Sequence, residues 1–456
     1  MRRFGVALGS MIFSGLFVLP VQNASAETLR EALASAYLNN PTLEAQRAEL
    51  RATDEEVPKA LSGLRPKLKA EAEASKSYGD IFTTSSIDEL SSWGYSITLD
   101  QPVFRGFRTI NSIKQAKANV RAGREDLRVQ EQAVLQSAVT AYVNVIRDLA
   151  TLKLRKGNVN VLDQELQAVK DRFQLGSATR TDVSQAKARR AGAKSQLALA
   201  KSNLKSSLAV YEQVIGHKAI GLKQPYIPAS LLPKTLDSAI KRGMAKNPSI
   251  QAAIHREEAS RYSIDIIRGE LLPDISLQAS YEKTYTEGPF GDDEDFSVVA
   301  RLTMPLYAGG NISARERQAH QVNIFNLDQV EVARQQIKQS VIGAWANLIA
   351  AKAQLQSNLQ AVKANKVALS GVRQEKDVGQ RTLLSVLNAE QELLNSQVSL
   401  VQTKRNIAVA SYALLQAIGE LDIRNVGASV QTYNPEENYD SSLYKLFGLG
   451  IDMPKK

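Results

Sequence analysis

The sequence predicts a mostly α fold with a smaller β part. One structural unit is written twice, and its strands complete a trimeric, 12-stranded β-barrel that continues into a long α-helical barrel. Three observations predict this. Landmark motifs recur about 200 residues apart, four segments alternate with the period of a strand, and two stretches of about 65 residues have helical periodicity without proline.

Composition removes most other classes. The 456 residues carry 57 Lys+Arg against 47 Asp+Glu, a formal charge of +10, with 3 His and no Cys. Without Cys there is no disulfide framework, thiolate metal site, thiol nucleophile or lipidated N-terminal Cys. His217, His255 and His320 are isolated and read as surface or capping residues. Lys and Arg are dispersed among Asp and Glu, so the positive charge gives no footprint for nucleic acid. No catalytic, metal or cofactor-binding constellation emerges, and the chain does not read as an enzyme.

At the front, Arg2 and Arg3 precede an apolar run from Phe4 to Val21 and then Ala24-Ser25-Ala26. A basic head, a short apolar middle and an A-x-A site make residues 1–26 a secretory signal peptide. Beyond it no apolar run reaches the ~18 residues a spanning helix needs. The exported chain is therefore soluble in the periplasm, secreted, or membrane-spanning as a β-barrel.

The repeat organises the rest. Asn40-Pro41 recurs as Asn247-Pro248, and Leu64-Arg65-Pro66 as Leu271-Leu272-Pro273, both at an offset of 207. Pro102-Val103-Phe104-Arg105-Gly106 recurs as Pro305-Leu306-Tyr307-Ala308-Gly309, and Phe173–Gly176 as Lys376–Gly379, at an offset of 203. The landmarks divide the chain into a first repeat at 27–215, a linker at 216–235, a second repeat at 236–420 and a C-terminal tail at 421–456. Each unit reads as short helix, Asn-Pro, second helix, proline stop, two strands, long helix, glycine turn and long helix. A proline after Asn breaks one helix and sets the first position of the next, and Pro66 and Pro273 end that helix.

Strands are expected at about 67–78, 92–103, 274–285 and 295–306. Leu68, Ala70, Ala72 and Ala74 alternate with Lys67, Lys69, Glu71 and Glu73, and the other three segments alternate likewise. The apolar face carries Tyr78, Trp93, Tyr95, Tyr281, Tyr285 and Phe296 near the hairpin tips, where a transmembrane barrel places its interfacial aromatics. Lys67, Lys69, Glu71 and Glu73 would then face a wet lumen. A half-buried hairpin on a soluble core is the plainer reading of the same alternation.

Long helices are expected at about 108–172, 179–215, 311–375 and 381–419. Val134, Ala138, Ala141, Val145, Leu149 and Leu152 form one seam; Leu387, Leu394, Val401, Ala408 and Leu415 recur at sevens. About 65 residues at 1.5 Å each make a rod of roughly 100 Å. Such a rod cannot enclose a core alone and must pack on other rods. Four strands are also too few, since the smallest transmembrane barrels have about eight and lipid tolerates no open edge. Three chains supply twelve strands and twelve long helices.

These motifs, in this order and in duplicate, resemble those of the TolC-like outer-membrane efflux and export channels, over about residues 27–420. The resemblance implies an outer-membrane homotrimer in contact with lipid that reaches into the periplasm of a Gram-negative bacterium. It implies partnership with a periplasmic adaptor protein and with an inner-membrane efflux pump or ABC transporter. Its cargo would be drugs, toxic compounds or, as in type I secretion, exported proteins.

Gly176, Ser177, Gly379 and Gln380 then stand at the adaptor-docking tips. The glycines also read simply as helix C-caps. Asp182 and Arg381 match positions where a charged pair keeps the periplasmic entrance shut; alone they read as a helix cap and a solvated charge. Some members narrow the pore with acidic residues where this chain has Ser385 and Asn388. A carboxylate ring is therefore excluded here, and constriction would rest on side-chain size. Asp292–Asp295 reads as an acidic outer loop, and the tail as partly ordered and then disordered. The competing class is a soluble periplasmic coiled-coil adaptor or scaffold. Such proteins usually have one helical hairpin beside separate β-rich domains, which the double strand-plus-hairpin design disfavours.

Overall fold

The computed structural model describes residues 26–79, 88–227, 230–287 and 291–448. The signal-peptide expectation, apart from Ala26, and both strand-hairpin tips lie outside the described residues.

The first unit comprises α1 (Leu29–Asn39), α2 (Pro41–Asp54), α3 (Glu56–Leu61), β1 (Lys67–Gly79), β2 (Asp88–Arg105), α4 (Arg108–Gln174) and α5 (Arg180–Ile215). The second comprises α6 (Leu236–Lys246), α7 (Pro248–Arg268), β3 (Asp274–Thr286), β4 (Asp293–Thr303), α8 (Asn311–Asp377) and α9 (Leu383–Ala417), followed by α10 (Glu437–Ser442). Asn40 and Asn247 each end one helix and begin the next. Their side chains accept from the amides of Thr42 and Ser249 at the new N-terminus. The units differ in one respect that the expected order missed. α7 runs unbroken for 21 residues, whereas its counterpart splits into α2 and α3. Pro58 accounts for the split: it has no N–H for a bond to Asp54 and its ring crowds that carbonyl.

The four strands form one antiparallel sheet in the order β1-β2-β3-β4, leaving β1 and β4 as open edges. β2 begins earlier than expected, at Asp88, and takes up Pro102 through a register shift between Pro102 and Phe104. β4 ends at Thr303, short of Met304-Pro305, because Pro305 has no donor for the ladder. From the sheet, α4 and α8 run as 67-residue rods, each about 100 Å long at 1.5 Å per residue. α5 and α9 return along them. Where the units meet, Gly106 (φ 57°) lies backbone to backbone against Gly269. A Cβ on Gly106 would come within 2.1 Å of the Gly269 carbonyl oxygen, so neither position admits a side chain.

The main core lies part-way down the rods. Leu33, Ala36, Leu135, Val139 and Tyr142 pack there with Leu348, Leu414 and Leu415. Three buried tyrosines tie the linker and the start of the first repeat into this core through their hydroxyls. Tyr142 donates to the carbonyls of Glu27 and Lys223, Tyr412 to that of Tyr226, and Tyr211 to the Glu27 carboxylate. Burial pushes all three phenols up from their ordinary value, so they remain neutral donors. At the start of the tail, Leu421, Ile423 and Val426 are buried in the same core. No described helix is long and apolar enough to cross a membrane.

Candidate functional site

The sheet has two chemically distinct faces because its register keeps the period of two on every rung outside the shift at Pro102–Phe104. Ala70, Ile97, Tyr281 and Phe296 share one row, and Ala74, Trp93 and Tyr285 another. Trp93 stacks on Tyr285 with ring centroids 4.1 Å apart, and Tyr95 lies 6.1 Å from Tyr281. Tyr78 stands toward the outer end of β1, opposite Glu89. The six aromatics named from the sequence thus fall on one face. Lys283 and Glu294 also sit there, 3.2 Å apart, and Tyr281 Oη donates to Glu294 at 3.0 Å. Asp293, Glu294 and Asp295 therefore belong to β4 and not to a loop, while Gly288–Phe290 lie outside the described residues.

The opposite face is polar on nearly every row. Lys69, Thr98, Ser280 and Ser297 form one row, and Glu71, Ser96, Glu282 and Asp295 the next. Lys69 pairs with Glu71 on β1, and Lys67 and Glu73 flank them, exposed. Val299 is the exception among the polar side chains of β4.

At the far end of the rods the two hairpin turns are built alike. The Ser177 amide donates to the Arg172 carbonyl and that of Gly176 to Phe173; the Gln380 amide donates to Glu375 and that of Gly379 to Lys376. Both glycines are left-handed, at φ 76° and 79°, which closes each helix with a paired-bond cap. Thr179 and Thr382 then cap α5 and α9 by accepting from the amides of Asp182 and Ser385. Asp182 accepts in turn from the amide and hydroxyl of Thr179 at 2.9 and 2.7 Å, and these bonds lower its pKa. Arg381 pairs with Glu375 at 2.7 Å in its own hairpin. Among the described residues Asp182 and Arg381 share no ion pair within one chain.

The contacts that join the hairpins involve other side chains. Lys376 on α8 reaches Glu165 on α4 at 2.7 Å, and Glu165 also meets Arg172 at 3.4 Å. Arg189 on α5 donates to Asn388 on α9 at 2.6 Å, so this expected constriction residue faces the neighbouring hairpin of its own chain. Ser385 is tied to Thr382 at the cap. Val159, Leu162 and Val169 of α4 and Ala193 of α5 pack with Leu383 and Leu387 of α9 into a small apolar cluster. Beside it runs a cleft of mixed character, lined by Arg155, Asn158, Arg189, Ala193, Leu384 and Gln391. Sequence reasoning missed Leu175 and Val378, strongly exposed apolar residues at the two tips. Their signal was present: they stand one residue before each turn glycine, 203 residues apart.

Comparison with known proteins places this arrangement. The sequence matches the family described as Outer membrane efflux protein over residues 32–217 and 239–420. It is 36% identical to the outer membrane efflux protein BepC of Brucella suis biovar 1 over 445 residues, covering 96% of this chain and 95% of that one. It is 25% identical to the outer membrane protein TolC of Vibrio cholerae, covering 89% and 94%. The crystal structure of the Campylobacter jejuni CmeC outer membrane channel superposes with a TM-score of 0.75 at 17% identity, covering 96% and 98%.

Proposed function

The chain belongs to the outer membrane efflux protein family and has its TolC-like fold, and from that premise we propose that three copies form a passive outer-membrane duct for small toxic compounds. The observation that carries the reading is the pair of open edges: a four-stranded sheet with one apolar face cannot sit in lipid until β1 and β4 are paired. Other copies of the same chain pair them with the fewest assumptions. The junction between units supports this. Gly106 packs on Gly269 inside the chain, but its counterpart Gly309 has no described atom within 4 Å of its Cβ position, as expected where a second copy would approach.

In this reading the aromatic face meets lipid, with Trp93, Tyr95, Tyr281 and Tyr285 at the outer interface and the Lys283–Glu294 pair among them. Lys67, Lys69, Glu71 and Glu73 line the water-filled lumen. The hairpin tips, with Leu175, Gly176, Ser177, Val378, Gly379 and Gln380, dock a periplasmic adaptor bound to an inner-membrane pump or transporter. Glu165–Lys376 and Arg189–Asn388 hold each chain's hairpins together, and Asp182 and Arg381 act between neighbouring chains. Narrowing at Ser385 and Asn388 is by side-chain bulk.

Deletion of the gene tests the cargo. Increased sensitivity to antibiotics and bile salts with unchanged secreted protein is the expected outcome. Loss of a secreted protein alone would assign the duct to type I secretion. Recovery of the protein in the periplasmic extract and not in the outer-membrane fraction would remove the duct altogether. In planar bilayers, Glu165→Gln combined with Lys376→Gln should raise single-channel conductance if the tie holds the closed end.

A further inference from the structure

We infer that residues 443–448, directly after α10, are a monotopic anchor, inserting Tyr444, Leu446 and Phe447 into the periplasmic leaflet of the outer membrane. The inference rests on the reading that the sheet spans that membrane, and adds a second, non-barrel contact with it.

The path of the chain carries the argument. Glu436 pairs with Arg124 of α4 at 3.0 Å, and the Arg124 guanidinium lies over the Tyr439 ring at 5.2 Å. Asn438 donates to the fully buried Asp54 at 2.9 Å. Tyr439 and Leu443 then pack against Val57, Ala116 and Val120, and Arg65 donates to the Leu443 carbonyl at 3.4 Å. Because α4 starts at Arg108 directly beneath the sheet, passing from Arg124 to the level of Val120 and Ala116 brings the chain nearer the strands. The tail therefore climbs toward the barrel. At Ala116 it is eight residues, about 12 Å, below the start of α4. On the other side Arg65 stands only three residues before Leu68, the first residue of the lipid-facing row of β1, or about 10 Å of extended chain.

At that level the segment turns its apolar side chains outward. Tyr444, Leu446 and Phe447 are 79%, 64% and 90% exposed, although Tyr439 and Leu443 just before them are partly buried against the helices. Two aromatics and a leucine beside an exposed lysine, Lys445, have the chemistry of an interfacial segment. The rings settle among acyl chains and carbonyls while the ammonium stays with the lipid phosphates. Aqueous exposure would leave three large apolar side chains in water.

The chain has no cysteine, so single reporters can be placed without background. Phe447→Cys, Phe296→Cys and Leu175→Cys, each in the full protein, carry a nitroxide in vesicles of phosphatidylethanolamine and phosphatidylglycerol. Power saturation then compares access to oxygen with access to a water-soluble nickel complex. Position 447 should show an oxygen-to-nickel ratio several-fold above that at 175 and close to that at 296. A ratio matching the exposed hairpin tip at 175 would overturn the anchor. So would shielding from both reagents, which would mean that a neighbouring subunit or another protein covers the segment. If 296 itself reported water, the membrane reading of the sheet would fail and the anchor with it. A lipid signal at 296 with a water signal at 447 would reject the anchor alone.

Discussion

The two helical hairpins are copies of one design, yet they divide the burial crosswise. Twenty residues of α4 are buried but only seven of α8, whereas α9 buries fifteen and α5 six. The buried Leu135 of α4 has the exposed Lys338 as its counterpart 203 residues on. α4 and α9 are thus the middle of the subunit. α5 and α8 are its flanks, with Leu199, Leu208, Val322, Phe325 and Leu327 left exposed. The sheet repeats the pattern, β2 and β3 in the middle and β1 and β4 open. In the ring proposed above, each duplicated unit needs neighbours on two sides but finds only one within its own chain.

The largest expected effect lies in the middle. Leu135→Ala removes a fully buried side chain and should cost about 2–5 kcal/mol of subunit stability, read as a lowered midpoint in denaturant unfolding. An equal cost for truncating exposed Phe325 in the unassembled chain would break the comparison. On the flank, Phe325→Arg should leave the helical content of the chain unchanged but deplete the assembled oligomer. Burying that charge at a subunit interface costs on the order of 1.4 kcal/mol or more, about tenfold in association. Undiminished oligomer on native gels would show that this flank is not covered by another copy.

The smallest effects separate the two tips. Thr179→Ala should cost about 1 kcal/mol locally, seen as faster hydrogen exchange at the start of α5. The tips should also respond differently to acid. Asp182 is held below the ordinary carboxylate range by its bonds from Thr179, so the stabilisation is complete above the unfolded value and is lost as pH falls through the lowered one. At the second tip the equivalent position is Ser385, which does not titrate. Exchange at the start of α5 should therefore accelerate in acid relative to the start of α9, after correction for intrinsic rates. Parallel behaviour would remove the carboxylate from the account.

Much of this was legible in the sequence because it is local. Asn40 and Asn247 show their double capping role in the dipeptide with proline, Gly176 and Gly379 mark the turns, and the alternation of β1 to β4 assigns each aromatic to a face. What could not be read depends on which copy of the unit lies beside which. Lys376 and Glu165 are 211 residues apart and share no periodic signal, and Arg189 with Asn388 is equally silent. Pro58 was visible, but its consequence, a helix broken in one unit and whole in the other, was not drawn. In the tail, composition does not single out the residues that pack: Leu421, Ile423 and Val426, set between polar neighbours, complete the core.

Closure of the sheet by identical chains is tested most directly by a cysteine ladder across its edges. Ser297→Cys on β4, paired in turn with single cysteines along residues 67–77 of β1, cannot form a bond inside one chain, because β2 and β3 intervene. Oxidation in intact outer membranes should give, at one register, covalent dimers and trimers in a ladder that stops at three. Monomers alone at every register, or a ladder continuing past three, would contradict it.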